Sequence, residues 1–257
     1  MKSSQYPITL DGETASIGTA AELVVALDVL QGQHDRQVLS QLRPHLAALM
    51  PQARDFLAVM RSLSPADQVY LVEALGADLA AILQQARFLR DLLATLAEEK
   101  VETALLSTLG RSGLRALILT AGELAEVLEW VYGQADAQTL DLLGLDYVRH
   151  LCRTGADLGA ILRSLDPGLQ ARLVDQLGWE FVLGLVRDGR DLAALLRALP
   201  ASVSDRLLVH FPRPQLEEII GNARDWTYLY QRLEPEEART ITKLLALPHH
   251  GGKSHAA

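Results

Sequence analysis

The chain has 257 residues, 49 % apolar and only 5 % aromatic, so its apolar content is chiefly Leu, Ala and Val. Such a composition excludes wholesale disorder. A net charge of −8, carried against 20 arginines and 4 lysines, argues against general binding to a phosphate backbone. One cysteine excludes an internal disulfide framework. No stretch reaches the roughly 18 uncharged apolar residues of a spanning helix, and the first residues lack the apolar run of a signal peptide. The expectation is a soluble, cytoplasmic protein.

Residues 1–18 form the first segment. Asp11-Gly12 sits between alternating residues, the dipeptide of a tight hairpin turn. A small hairpin and an unstructured arm are both compatible with it. From Thr19 to Leu247 the chain is organised by a repeat. An acid or near-acid, then Leu and a short apolar pattern ending in Leu, recurs from Glu22, Asp55, Phe88, Glu123, Asp157, Asp191 and Asp225. The spacings are 33, 33, 35, 34, 34 and 34, and a fixed period of this length marks a repeat architecture.

Each unit reads as three helices. In the first, Leu192, Leu195, Leu196 and Leu199 make one stripe at helical period. Thr19, Thr120, Thr154, Asp188 and Asn222 stand three residues before the recurrent acid, the spacing of a capping box or its aspartate variant. The acids therefore read as caps. Ser64-Pro65, Asp166-Pro167 and Glu234-Pro235 open a second helix with proline in its first turn. Its columns are Leu71, Leu105, Leu173, Leu207, Ile241 and Leu75, Leu109, Leu143, Leu177, Phe211, Leu245. Gly76, Gly110, Gly144 and Gly178 then predict a left-handed turn that ends it. A third helix carries Leu83, Leu117, Leu151, Leu185 and Ile219.

Helices of roughly 9–12 residues are too short to stand alone, so each must bury its stripe against neighbouring units. The arrangement resembles the α-solenoid class of HEAT- and armadillo-like superhelical arrays, over nearly the whole chain and in architecture only. It implies an all-α superhelical solenoid of about seven three-helix repeats over residues 19–247, spaced by 33–35 residues. Tetratricopeptide repeats share the period, but their W…G…Y…P pattern is absent. After Pro248 the sequence reads as a flexible tail, residues 248–257.

No motif for a phosphate loop, a nucleophile elbow or a zinc site is present. Cys152 shares a core column with Ile118, Val186 and Ile220, which makes it a small buried hydrophobe. His249, His250 and His255 fall in the tail, without fixed geometry for a metal. No catalytic residue, metal or cofactor is expected. Arg163 and Arg197 are equivalent positions on an outward column that also holds Arg61. Trp130 and Tyr132 lie off the apolar stripe and Tyr228 on an outward column, whereas Trp226 and Tyr230 fall on core columns. Exposed arginines and aromatics are common interface anchors. The alternative reading of the arginines is pairing with nearby acids or capping of helix C-termini, and that of the aromatics is cover by a terminal cap or a neighbouring unit.

The function expected from this surface is a non-enzymatic protein-binding scaffold or adaptor. Its partner would be a protein or peptide with an acidic segment, held by Arg61, Arg163 and Arg197 with Trp130 beside them and Tyr228 as the next candidate. Two alternatives stand beside it. One is nucleic-acid binding through stacked arginines, which the net charge disfavours. The other is a self-associating regulatory or structural subunit.

Overall fold

The computed structural model describes residues 5–96, 98–131, 133–220, 227–228, 231, 233 and 235–246. Asn222, Asp225, Trp226, Tyr230, Glu234, Tyr132 and the tail from 248 lie outside the described residues. The chain is mostly helical, at 73 % helix. The sheet among the described residues is a two-stranded hairpin, β1 (Tyr6–Leu10) and β2 (Glu13–Ile17), antiparallel with Tyr6 opposite Ile17 and Leu10 opposite Glu13. Asp11 and Gly12 turn it with φ of 49° and 87°, the positive values a two-residue hairpin loop requires. The opening segment is therefore a hairpin rather than an arm.

Two compact units divide the chain after Val148, inside the stretch the period spans. The first unit holds α1 (Ala20–Leu30), α2 (Asp35–Leu42), a 3-10 turn (Arg43–His45) leading into α3 (Leu46–Leu49), α4 (Ala53–Arg61), α5 (Pro65–Leu75) and α6 (Asp78–Leu83). It continues with α7 (Ala86–Leu93), α8 (Glu99–Leu117), α9 (Ala121–Leu128) and α10 (Gln134–Leu143). Helix α11 (Leu145–Leu151) straddles the division. The second unit holds α12 (Gly155–Arg163), α13 (Pro167–Leu177), α14 (Trp179–Gly184), α15 (Gly189–Leu196), α16 (Ala201–His210), α17 (Arg213–Ile220) and α18 (Pro235–Ala246).

The helices follow the sequence period, and like packs on like within each unit. Helix α1 lies on α4, α7 on α9 and α12 on α15; α5 lies on α8 and α8 on α10. Leu71, Leu105, Leu173, Leu207 and Ile241 are each no more than 2 % exposed. Full burial of one such side chain contributes about 1.5–3 kcal/mol. Local chemistry sets where each helix begins. Thr120/Glu123 and Thr154/Asp157 are complete capping boxes. Ser64 and Asp166 cap α5 and α13 ahead of Pro65 and Pro167.

The helix-ending glycines depart from the expected left-handed turn. Gly144 has φ 78° and ψ 147°, and Gly178 has φ 81° and ψ 144°. Positive φ was expected, but ψ is extended, a region essentially confined to glycine. The physical reason is that no loop follows: α11 starts at Leu145 and α14 at Trp179. A left-handed residue would curl the chain back, whereas this conformation redirects it at once into the next helix. At Gly110 (φ 56°, ψ −171°) the same kink joins two helical segments within α8.

Candidate interaction surface

Helices α12 and α15 approach unusually closely, and this positions the two arginines the sequence singled out in the second unit. Gly155 and Gly159 lie one turn apart on α12. A Cβ at Gly155 would stand 2.8 Å from the Asp191 carbonyl oxygen, and one at Gly159 would stand 2.7 Å from that of Ala194. Glycine is what permits this approach. Contacts advancing in the same direction along both helices make the pair parallel, so their C-terminal ends lie side by side. Arg163 is the last residue of α12 and Arg197 caps the C-terminus of α15. Both are exposed, and neither forms an ion pair with a described residue.

The other candidates are distributed differently. Arg61 ends α4 and is exposed, in the first unit. Trp130, also in the first unit, is 38 % exposed. Tyr228 belongs to the second unit and is half-buried, with the Arg190 guanidinium 5.7 Å from its ring centre. Arg190 is near the start of α15 and Arg197 at its end, about 10 Å apart along the axis at 1.5 Å per residue. Of the five candidates, Arg163 and Arg197 are the pair carried by directly packed helices.

Other arginines tie one helix to the end of another within each compact unit. The Arg115 side chain donates to the Leu143 carbonyl at the end of α10 (Nε, 3.1 Å) and lies over the Tyr147 ring. One period later, Arg149 donates to the Leu177 carbonyl at the end of α13 (2.9 Å) and lies over Phe181. A cation at the carbonyl end of a helix meets the negative pole of its dipole. The legible signal was the paired recurrence of Arg with an aromatic 32 residues further on. Arg206 pairs with Asp175 at 2.7 Å and stacks over Trp179.

A missed feature is a polar column inside the second helices at positions 68, 102, 136, 170 and 204. Gln68 donates to the Met60 carbonyl at 2.8 Å, Gln170 to those of Leu162 and Leu165 at 2.8 and 2.9 Å, and Ser204 to that of Leu196 at 3.3 Å. Each thereby ties the start of a second helix to the end of the first. Glu102 and Asp136 occupy the same column and are buried.

Asp35, which stands 33 residues before Gln68, is also buried. Desolvation pushes its carboxyl above the ordinary range, the charges of Asp67 and Asp28 add to this, and a backbone hydrogen bond from Gly32 opposes it. Because the folded state binds the proton more tightly, ionising Asp35 costs stability as pH rises through the folded-state value. The cost accumulates between the unfolded and the folded value and vanishes below the unfolded one. Asp35→Asn is therefore expected to raise the melting temperature at pH 7 and to leave it unchanged near pH 3, as calorimetry at the two pH values would show.

Cys152 is 3 % exposed, in the core position its column predicts. Burial, reinforced by the charge of Asp157, pushes its thiol up to about 12, and the thiolate is the reactive form. Native alkylation at pH 8 is expected to be slower than in denaturant by orders of magnitude, measured by mass shift over time. Rapid native labelling would contradict this burial. His45 stacks on Tyr6 and His210 on Trp179. Among the described residues, no group of three or more His, Cys, Asp or Glu side chains could hold a metal, and no helix is long and apolar enough to cross a membrane. Comparison with protein-family models, with curated proteins and with solved structures returns no match.

Proposed function

We propose that the chain is a non-enzymatic scaffold: an α-solenoid of about seven three-helix repeats that holds a partner protein or peptide on its ridged surface. The observation that carries this reading is the arginine pair Arg163 and Arg197, exposed and without an ion pair to a described residue, at the ends of two parallel, directly packed helices. Core packing does not require arginine there. Two guanidinium groups at the neighbouring ends of packed helices can each take a carboxylate of one acidic segment bidentately.

The test is double charge reversal, Arg163→Glu with Arg197→Glu, followed by affinity capture and measured binding of the captured partner at several salt concentrations. The variant should keep its helical content and melt only slightly lower, because reversing the charge of an exposed residue at a helix C-terminus costs about 0.3–1 kcal/mol at each site. Partner binding should weaken by at least about tenfold, most at low salt. Undiminished binding by the folded variant would remove this face.

A further inference from the structure

The amino-terminal end of the first unit carries a second surface of a different kind. Two later first helices, α9 and α15, use one side to receive the preceding one. On α9 that side holds Glu126, paired with Arg90 of α7 at 2.9 Å; on α15 it holds Ala194, which receives Gly159. The corresponding residue of α1 is Val25, sixth in its helix as those two are in theirs. Among the described residues, what precedes α1 is the hairpin and not a helix. Val25 is 62 % exposed and Val29, one turn on, is 75 % exposed.

The hairpin covers this side only in part. Between β2 and α1 runs an open groove of about 690 Å³, with Val25, Ala26 and Val29 on one wall and Thr14, Ala15 and Ser16 on the other. The two edges of the hairpin are treated differently. On β1, the Thr9 N–H donates to the Gln41 side chain at 2.8 Å and the Thr9 carbonyl accepts from it at 2.9 Å. Those groups therefore point away from β2, which makes Thr9–Thr14 a non-hydrogen-bonded pair. By alternation Pro7–Ser16 is another, so the N–H and C=O groups of Thr14 and Ser16 point away from β1. They form no hydrogen bond with a described residue outside the hairpin. An unpaired strand edge of this kind is a template for a further strand.

Charge narrows the occupant. Residues 5–35 contain Asp11, Glu13, Glu22, Asp28 and Asp35 and no Lys or Arg. Residues 1–148 hold 10 Lys and Arg against 19 Asp and Glu, a net of 10 − 19 = −9, while residues 149–257 hold 14 against 13, or +1. Symmetrical docking of a second copy would set these acids against themselves.

We propose that this groove binds an extended peptide segment of a partner by strand addition to β2. The segment pairs with Thr14 and Ser16, places alternate apolar side chains on Val25 and Val29, and flanks them with Lys or Arg that meet Glu13 and its neighbours. A five-residue strand offers an edge of about 17 Å, so about five residues of the partner pair directly. Backbone bonds would supply affinity and the alternate side chains specificity. The proposal is independent of the arginine pair, which lies in the other unit.

The test is selection of randomised nine-residue peptides displayed on phage against the immobilised full chain, followed by fluorescence anisotropy of the selected peptides as synthesised. Selected sequences should alternate apolar residues and carry flanking Lys or Arg, and their binding should weaken with salt. Thr14→Pro removes the outward N–H at a position that tolerates proline as Pro7 does in β1, and should weaken binding about tenfold. Val29→Glu, on a residue already exposed, should do the same if Thr14→Pro disturbs the hairpin. Four outcomes would overturn the proposal: no enrichment, selected peptides with helical rather than alternating apolar spacing, equal binding by both folded variants, or concentration-dependent dimerisation that Val29→Glu abolishes. None of these bears on Arg163 and Arg197, whose charge reversal should leave the selected peptides bound.

Discussion

Gly159→Ala is expected to destabilise the second unit by about 1–3 kcal/mol, the cost of forcing an extra methyl group into a well-packed contact. The usual effect of this change inside a helix has the opposite sign, because alanine improves helix propensity by about 1 kcal/mol. Space decides between them. The new Cβ would stand 2.7 Å from the Ala194 carbonyl oxygen and 3.0 Å from its carbon. Both are backbone atoms, so no rotamer change relieves the clash and the two helices must separate. Gly122→Ala in α9 is the control: its nearest obstacle is the Thr120 hydroxyl at 3.9 Å, so it should be neutral or mildly stabilising. Denaturant unfolding of both variants measures the difference. If Gly159→Ala were as benign as Gly122→Ala, the close approach of α12 and α15 would be refuted, and with it the side-by-side placement of Arg163 and Arg197.

The elements legible in the sequence were those with local causes. Thr154 and Asp157 announce a helix start because hydroxyl and carboxylate satisfy each other's backbone partners within three residues, and such a cap needs no tertiary information. Cys152 could be placed in the core because its column neighbours are Ile and Val. What the sequence concealed depends on contacts between one helix and another. Gly155 and Gly159 read as poor helix formers until α15 is seen against them. Gln170 reads as a solvated residue until its amide is found at two carbonyls of the preceding turn. The ψ values of Gly144 and Gly178 follow from the absence of a loop, which depends on where the next helix begins. The arginine pair is intermediate: its recurrence is visible, but its lack of an ion pair among the described residues required the positions of the surrounding acids.

Asp191→Ala is expected to cost about 2–3 kcal/mol, more than the roughly 1 kcal/mol lost when an ordinary capping residue is removed. Asp157 serves its own helix: its carboxylate accepts from the backbone of Arg153 and Thr154, both just ahead of α12. Asp191 serves two. Its Oδ2 accepts from the Arg187 N–H ahead of α15 at 3.2 Å, while its Oδ1 accepts from the Ala156 N–H in the first turn of α12 at 3.1 Å. The side chain is only 6 % exposed, so water replaces it poorly and both donors lose a charged acceptor. One anion also lies at the positive ends of two helix dipoles. Asp191→Asn retains one acceptor oxygen without the charge, and should lose less than Asp191→Ala. Because the Asp191 backbone lies directly under Gly155, the effects of Asp191→Ala and Gly159→Ala should not add. Each loosens the same helix pair, and a double-mutant cycle should give a coupling of about 0.5 kcal/mol or more. Equal losses for Asp191→Ala and Asp157→Ala, with strict additivity in the cycle, would mean that Asp191 caps only its own helix and that the contact between α12 and α15 is held by apolar packing alone.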